Sequence, residues 1–251
     1  MRIMAINPVL VLRRFRVGEI KWETAETFSL VLVPEDLKDI PAFKAGQWMY
    51  LHLLHEDGST WAKSAYSVAV APEECAEKIE LGIKLRGEFT KRASKLMPDD
   101  VVAVQGPFGV FTLPLGQAPL VMFAGGIGIT PLRSMIQEVK HQQAQGGERK
   151  VTLFYSNKYV EDAPYLEELM DLAKEVSWFT LIPILTQHAP TDWKGEQGRL
   201  NLEMLKKYPV IDSDFIYLMC GPKPFMESVR GFLKEAGVDV RRQLKEELFG
   251  T

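Results

Sequence analysis

The sequence predicts two domains of different class: an antiparallel β-barrel or sandwich over residues 1–114, then a parallel-sheet α/β domain over residues 115–251. Three observations carry this reading. From about residue 9 to 112, apolar residues recur at every second position, the period of a half-buried strand. From about 119 onward, short apolar runs alternate with segments of helical period, the pattern of a parallel sheet with helices on both faces. Between them lies PLGQAP, residues 114–119, whose two prolines and one glycine resist regular structure.

In the first half, Phe28, Leu30 and Leu32 form one alternating set. Ile79, Leu81, Ile83 and Leu85, with Glu80, Lys84 and Arg86 between them, form another. Turn signals at Asp57-Gly58, Pro98-Asp99-Asp100 and Gly106-Pro107 separate such runs. In the second half, LVMFA precedes a helix predicted over 131–143, and VTLFY precedes one over 164–174. FTLIPIL is followed by a loop and a helix over 201–207, and FIYLMC by a helix over 224–236.

The 251 residues are long enough for two cores, and a content of 46% apolar and 25% charged residues is that of an ordinary globular protein. A net charge of −3 and a pI near 5.9 give no field that attracts nucleic acid. The apolar stretch in MRIMAINPVLVLRRFR is interrupted by Asn7 and Pro8, and no later run reaches the roughly 18 apolar residues of a membrane span, so a cytoplasmic protein is expected. Cys75 and Cys220 are far apart, which leaves no four-thiolate cluster or zinc site within these residues. No metal site is expected. HExxH and GxSxG are both missing, which removes metalloprotease and α/β-hydrolase readings.

Chemistry concentrates in FAGGIGITPL, residues 123–132. A strand enters a turn at Gly125-Gly126 and a helix follows, with Thr130 predicted as its N-cap, Pro131 at its first position, and Leu132, Met135, Ile136 and Val139 on one apolar face. A helix start beside glycines suits a phosphate, although glycine in a tight strand-to-helix turn serves the backbone alone equally well. The second strand ends in Ser156, Asn157 and Lys158, where a dinucleotide site that reads a ribose 2′-hydroxyl carries a carboxylate. A hydroxyl and a cation there tolerate a 2′-phosphate, which favours NADPH over NADH.

With the strand-rich half, GGIGITP and the later CGP taken together, nearly the whole chain resembles the ferredoxin–NADP reductase superfamily, flavin-dependent oxidoreductases in which a flavin-binding barrel precedes a nicotinamide-nucleotide-binding α/β domain. The resemblance implies that Gly125, Gly126, Gly128 and Thr130 hold the phosphates of NAD(P)H, with Ser156, Asn157 and Lys158 at its far end. Cys220, Gly221 and Pro222 fall where the nicotinamide sits. For the flavin, FAD or else FMN, the family motif Arg-x-Tyr-Ser is matched by SAYS at 64–67, which gives Tyr66 a place on the isoalloxazine and Ser67 a place near its N5. GEFT at 87–90, followed by a short helical stretch KRASKLM, matches the flavin-phosphate turn through Gly87, Phe89 and Thr90. The terminal LKEELFGT puts Glu247 and Phe249 at positions that approach flavin or nicotinamide.

Ser64 departs from the family, because the arginine expected there neutralises a flavin phosphate. Loss of such a charge-assisted contact costs about 1.5–3 kcal/mol. Lys63 points to the opposite face of a strand, and Lys84, Arg86 and Lys91 are the candidates to replace the charge. The implied activity is hydride transfer from NAD(P)H to a flavin, then electron delivery to a separate redox protein such as a ferredoxin. The cations Lys84, Arg86, Lys91, Arg92 and Lys95, with Arg2, Arg13, Arg14, Arg16 and Lys21, suit an acidic carrier, though a solvated face accounts for either run. Two alternatives stay open: a reductase of free flavins, and an electron-transfer subunit of a larger oxygenase or hydrogenase complex.

Overall fold

The computed structural model describes residues 7–36, 42–73 and 77–249. Cys75, and Arg2 of the basic N-terminal run, lie outside the described residues. The chain divides into two compact units, residues 1–113 with 133–138, and residues 114–132 with 139–251.

Among the described residues, the first unit carries six antiparallel strands: β1 (Arg13–Thr24), β2 (Thr27–Pro34), β3 (Trp48–Leu54), β4 (Thr60–Ser67), β5 (Ile79–Lys84) and β6 (Val101–Phe108). Their order is β4-β3-β6-β1-β2-β5. The two ends of this order meet where Val68 bridges Leu81 and the Ala69 N–H donates to the Glu80 carbonyl at 2.8 Å, which closes the sheet into a barrel. Alternation puts Phe28, Leu30, Leu32, Ile79, Leu81 and Ile83 in one core with Phe15, Met49 and Leu51, all fully buried. A short helix, α1 (Glu88–Ala93), follows β5. It begins at Glu88 rather than within KRASKLM, because Gly87 takes a φ of 84° and turns the chain directly into helix.

The second unit carries six parallel strands among the described residues: β7 (Leu120–Gly125), β8 (Val151–Asn157), β9 (Phe179–Leu185), β10 (Glu196–Gln197), β11 (Ile216–Gly221) and β12 (Leu244–Leu248). The order is β10-β9-β8-β7-β11-β12. Between them run α2 (Ile129–Ala144), α3 (Leu166–Glu175), α4 (Leu202–Leu205), α5 (Lys223–Glu235) and α6 (Val240–Gln243). Every residue of β7 is buried, as a central parallel strand covered on both faces requires. The helices start or stop one or two residues from their predicted limits, and the one predicted over 201–207 shrinks to the single turn of α4 behind its Asn201 cap.

The segment 114–119 is irregular, as its prolines dictate. Arg149 pins it: this fully buried guanidinium donates to the carbonyls of Pro114 at 2.9 Å and of Gly116. Burial lowers the Arg149 pKa, and the carbonyl dipoles supply the compensation a buried cation needs.

Gly128 is fixed by a harder constraint. A Cβ at this position would lie 2.2 Å from the Cys220 carbonyl oxygen and 2.8 Å from the Gly221 nitrogen, both backbone atoms. Only glycine lets the loop after β7 rest on the end of β11. Gly128→Ala is therefore expected to destabilise the protein by about 1–3 kcal/mol, seen as a lower urea midpoint; an unchanged midpoint would contradict the contact.

Candidate functional site

The strand order defines where a ligand can enter the second unit. From β7 the chain proceeds through β8, β9 and β10 in one direction, and then returns to place β11 on the other side of β7. The carboxyl ends of β7 and β11 therefore diverge at a switch point, the crevice where open α/β sheets bind ligands. The sequence puts its two most distinctive motifs there: Gly125 to Gly128 after β7, and Cys220 to Pro222 after β11.

Gly125 to Gly128 form a tight 3₁₀ turn, and α2 begins at Ile129. Gly126 has a φ of 54°, and a Cβ there meets no atom within 4 Å, so its backbone faces open space. Thr130 is not the N-cap the sequence predicts. It lies inside α2, fully buried, and its hydroxyl donates to the Ile127 carbonyl at 2.9 Å. The 3₁₀ turn brings the chain into helix two residues early, so Gly128 occupies the cap and Pro131 the third helical position. Gly125 and Gly221 lie against the Phe225 ring, 3.0 and 2.9 Å from where their Cβ atoms would be. Phe225 was not predicted: it sits in the first turn of α5, and no periodicity in CGPKPF separates it from an ordinary helical aromatic.

Cys220 is fully buried, and burial first, then the negative charge of Glu247, pushes its thiol well up, so it is neutral at pH 7. Cys220 pairs in register with Glu247 on β12. Burial raises the Glu247 carboxyl to about 7, and its Oε2 has no hydrogen-bond partner among the described residues. Gly221 is buried and Pro222 is exposed as the cap of α5. Phe249 follows β12, half-buried. At the end of β8, Ser156 and Asn157 are buried and Lys158 is exposed, and the Asn157 carbonyl accepts from the Thr186 N–H at 2.9 Å.

In the first unit, Tyr66 and Ser67 end β4. The Tyr66 ring stacks over Phe89 with centroids 6.0 Å apart and planes 25° apart. Burial pushes the Tyr66 phenol up, partly offset by a hydrogen bond with Ser64. Ser67 is 3% exposed, and its hydroxyl oxygen is buried without a hydrogen-bond partner among the described residues. Such an orphan is rare in a native structure. Gly87 has open space where a Cβ would stand. The Thr90 hydroxyl accepts from the Arg86 N–H at 2.6 Å and donates to the Gly87 carbonyl at 3.2 Å, which locks the turn.

The candidate cations are partly spoken for. Lys84 is exposed and pairs with Glu26 at 3.4 Å, Arg14 and Arg16 pair with Glu35, and Lys21 pairs with Glu23. Lys63 lies over the Tyr50 ring at 4.4 Å, on the opposite side of β4 from Ser64 as strand alternation requires. Among the described residues, no three His, Cys, Asp or Glu side chains cluster to hold a metal ion, and no helix is long and apolar enough to cross a membrane.

Glu247 makes a testable contribution to stability. Its carboxyl holds its proton to about pH 7 in the folded chain against an ordinary 4.5, so the folded state binds the extra proton between those values. The contribution of Glu247 to stability is therefore greatest below about pH 4.5, falls as pH rises to about 7 and is flat above that, by an amount reduced by solvent at this half-exposed site. Glu247→Gln should melt progressively higher than the parent as pH goes from about 5 to about 8; a pH-independent difference would contradict the burial of the carboxylate.

Comparison with known proteins agrees with this geometry. Residues 122–231 match the oxidoreductase NAD-binding domain family. The chain is 29% identical over 228 residues to the reductase component of propane 2-monooxygenase from Mycolicibacterium goodii, covering 88% of this chain and 63% of that one. It is 27% identical over 242 residues to a flavohemoprotein of Deinococcus radiodurans, covering 93% of this chain and 58% of the relative. The chain thus spans about six-tenths of the length of these relatives. Among solved structures, flavohemoglobin from Malassezia yamatoensis with bound FAD and heme superposes with a TM-score of 0.82 at 26% identity, over 96% of this chain and 61% of that one. A ferredoxin NADP+ reductase from Neisseria gonorrhoeae with bound FAD and NADP has the same fold, with a TM-score of 0.78 at 21% identity over 94% of this chain and 98% of that one. With a barrel, a parallel α/β unit and a matched oxidoreductase NAD-binding domain, the chain is similar to the flavin- and nicotinamide-binding reductases of the ferredoxin–NADP reductase type.

Proposed function

We propose that this protein is a flavin-dependent NAD(P)H reductase that passes electrons to a separate redox protein. The observation that carries the reading is the Ser67 hydroxyl, buried without a partner among the described residues at the end of β4, directly after Tyr66. Residues 1–114 form the flavin-binding domain in this reading, and residues 115–251 the nicotinamide-nucleotide domain. The flavin supplies a two-electron acceptor whose electrons then leave for the redox partner, and the protein supplies alignment and electrostatics.

Tyr66 supports the flavin ring and Ser67 donates a hydrogen bond near its N5. Gly87, Phe89 and Thr90 shape the turn for its phosphate, and Lys84 stands nearby on the same β5-to-α1 connection, drawn on for charge only when released from Glu26. The open backbone at Gly126, with Gly125, Gly128 and Thr130 fixing the turn, receives the phosphates of NAD(P)H. Ser156, Asn157 and Lys158 present no carboxylate to a ribose 2′-phosphate, which favours NADPH. Cys220, Gly221 and Pro222 seat the nicotinamide. The neutral thiol acts there as a small filler, since its raised pKa removes it as a nucleophile. Glu247 keeps a proton available beside it, and Phe249 offers a terminal aromatic surface.

The partner in this reading is an acidic carrier such as a ferredoxin, which the exposed Arg86, Lys91 and Lys95 would attract in the cytoplasm. Ser64 favours one rival, a reductase that takes flavin as a substrate, because the family's phosphate-binding arginine is missing at that position.

An absorption spectrum of the purified protein, titrated anaerobically with NADPH and then NADH, tests the reading. Bound flavin bleached by NADPH is expected; colourless protein that oxidises NADPH only with added flavin would favour the rival. Cys220→Leu should keep its flavin but slow bleaching by up to about 100-fold through misplacement of the nicotinamide. Bleaching at the parent rate would remove Cys220 from the site.

A further inference from the structure

Past Ser67 the chain leaves β4 and runs through Val68, Ala69, Val70 and Ala71, all buried. A buried backbone must find a partner for each N–H and C=O, and here the donors to two successive carbonyls are side chains. Arg133 Nη1 donates to the Ala69 carbonyl at 2.7 Å, and the Ser134 hydroxyl donates to the Val70 carbonyl at 2.6 Å. Both residues are buried, and both belong to the stretch of α2, residues 133–138, that forms part of the first unit.

The charge on Arg133 is answered within the same unit. Its Nη1 lies 3.1 Å from Glu80 Oε1 on β5, and the Ser29 hydroxyl donates to that same oxygen at 2.8 Å. Alternation between Ile79 and Leu81 turns Glu80 away from the barrel core, where a strand carboxylate ordinarily meets water, yet its side chain is only 13% exposed. One residue thereby holds Ala69 at both ends: the Ala69 N–H donates to the Glu80 carbonyl at 2.8 Å, and the Ala69 carbonyl accepts from the guanidinium that the Glu80 carboxylate holds. A buried ion pair adds little net stability over an apolar pair of similar volume, because the cost of taking two charges out of water offsets their attraction. What this pair adds is a fixed backbone, and that backbone begins directly after Ser67.

We infer that Arg133 is a positioning residue for the proposed flavin site: paired with Glu80 and aided by Ser134, it holds the segment 68–71 and through it the direction of the unpartnered Ser67 hydroxyl. The inference rests on the flavoprotein reading, in which Ser67 hydrogen-bonds to flavin. The effect of Arg133 on flavin binding passes through Ser67, so the two residues are energetically coupled.

A double-mutant cycle on flavin affinity measures that coupling, with FAD titrated into the flavin-free full chain. In the parent, Ser67→Ala should weaken FAD binding by about fivefold, which is what one neutral hydrogen bond contributes. In an Arg133→Met, Glu80→Leu background, whose urea midpoint should stay near that of the parent, Ser67→Ala should cost nothing measurable. Arg133→Lys, which keeps a charged donor for both oxygens, should restore the fivefold cost. Ser134→Ala removes one neutral hydrogen bond and leaves the ion pair, so it keeps the test decisive if the paired variant fails to fold; Ser67→Ala should then cost about twofold. An undiminished fivefold cost in these backgrounds, with or without a lowered urea midpoint, would make the pair a purely structural brace and overturn the inference. A parent in which Ser67→Ala costs nothing would overturn it too, and in both cases bound flavin would leave the flavoprotein reading standing. Failure of the parent to bind flavin would instead remove that reading, and this inference with it.

Discussion

The second unit depends on a backbone-to-backbone contact that no side chain fits into. Gly128 rests against the Cys220 carbonyl and the Gly221 nitrogen, and a Cβ would stand only 2.2 Å from the first of these. That contact ties the turn after β7 to the end of β11, the two strands on either side of the point where the sheet order reverses. The neighbouring pair, Gly125 and Gly221, extends the same constraint, since the Phe225 ring occupies the space their side chains would need. Three glycines thus hold two motifs that are almost a hundred residues apart in one crevice. Gly126, by contrast, is open on its outer side, and a turn so tightly fixed elsewhere has its exposed backbone free to meet a ligand.

Two buried polar atoms have no partner among the described residues where the proposed chemistry needs one: the Ser67 hydroxyl in the barrel and Glu247 Oε2 on β12. A folded chain tolerates few such atoms, because each forfeits its hydrogen bond to water. Their environments set them to different tasks. Ser67 is a neutral donor and acceptor, and Glu247 is a carboxyl whose burial moves its proton equilibrium to about 7. Cys220 is a thiol that burial keeps neutral. Perturbed groups of this kind gather at functional sites more often than in structural cores.

The strand alternation through Phe28 to Leu32 and Ile79 to Ile83, and the change of period near residue 119, made the two-part architecture legible from the sequence, because burial on one face of a strand leaves a period of two in the letters. The short motifs were legible too, as GGIGITP and CGP sit on strand ends in the structure. Local conformation was less so. The 3₁₀ turn that buries Thr130 depends on the contact between Gly128 and a strand almost a hundred residues later, and α1 starts early because Gly87 adopts a positive φ. Phe225 and the stack of Arg92 on Trp61 left no sequence signal, since both pairings join positions whose spacing carries no period.

The proposed function requires direct hydride transfer from a nicotinamide to a flavin, and stereospecifically deuterated NADPH reports on that step without reference to any acceptor. Stopped-flow bleaching of the flavin-loaded protein should be slower with deuterium on one face of the nicotinamide C4 and unchanged with deuterium on the other, because a fixed crevice presents a single face. Equal rates for both labelled forms and unlabelled NADPH, with the flavin bound, would contradict the account.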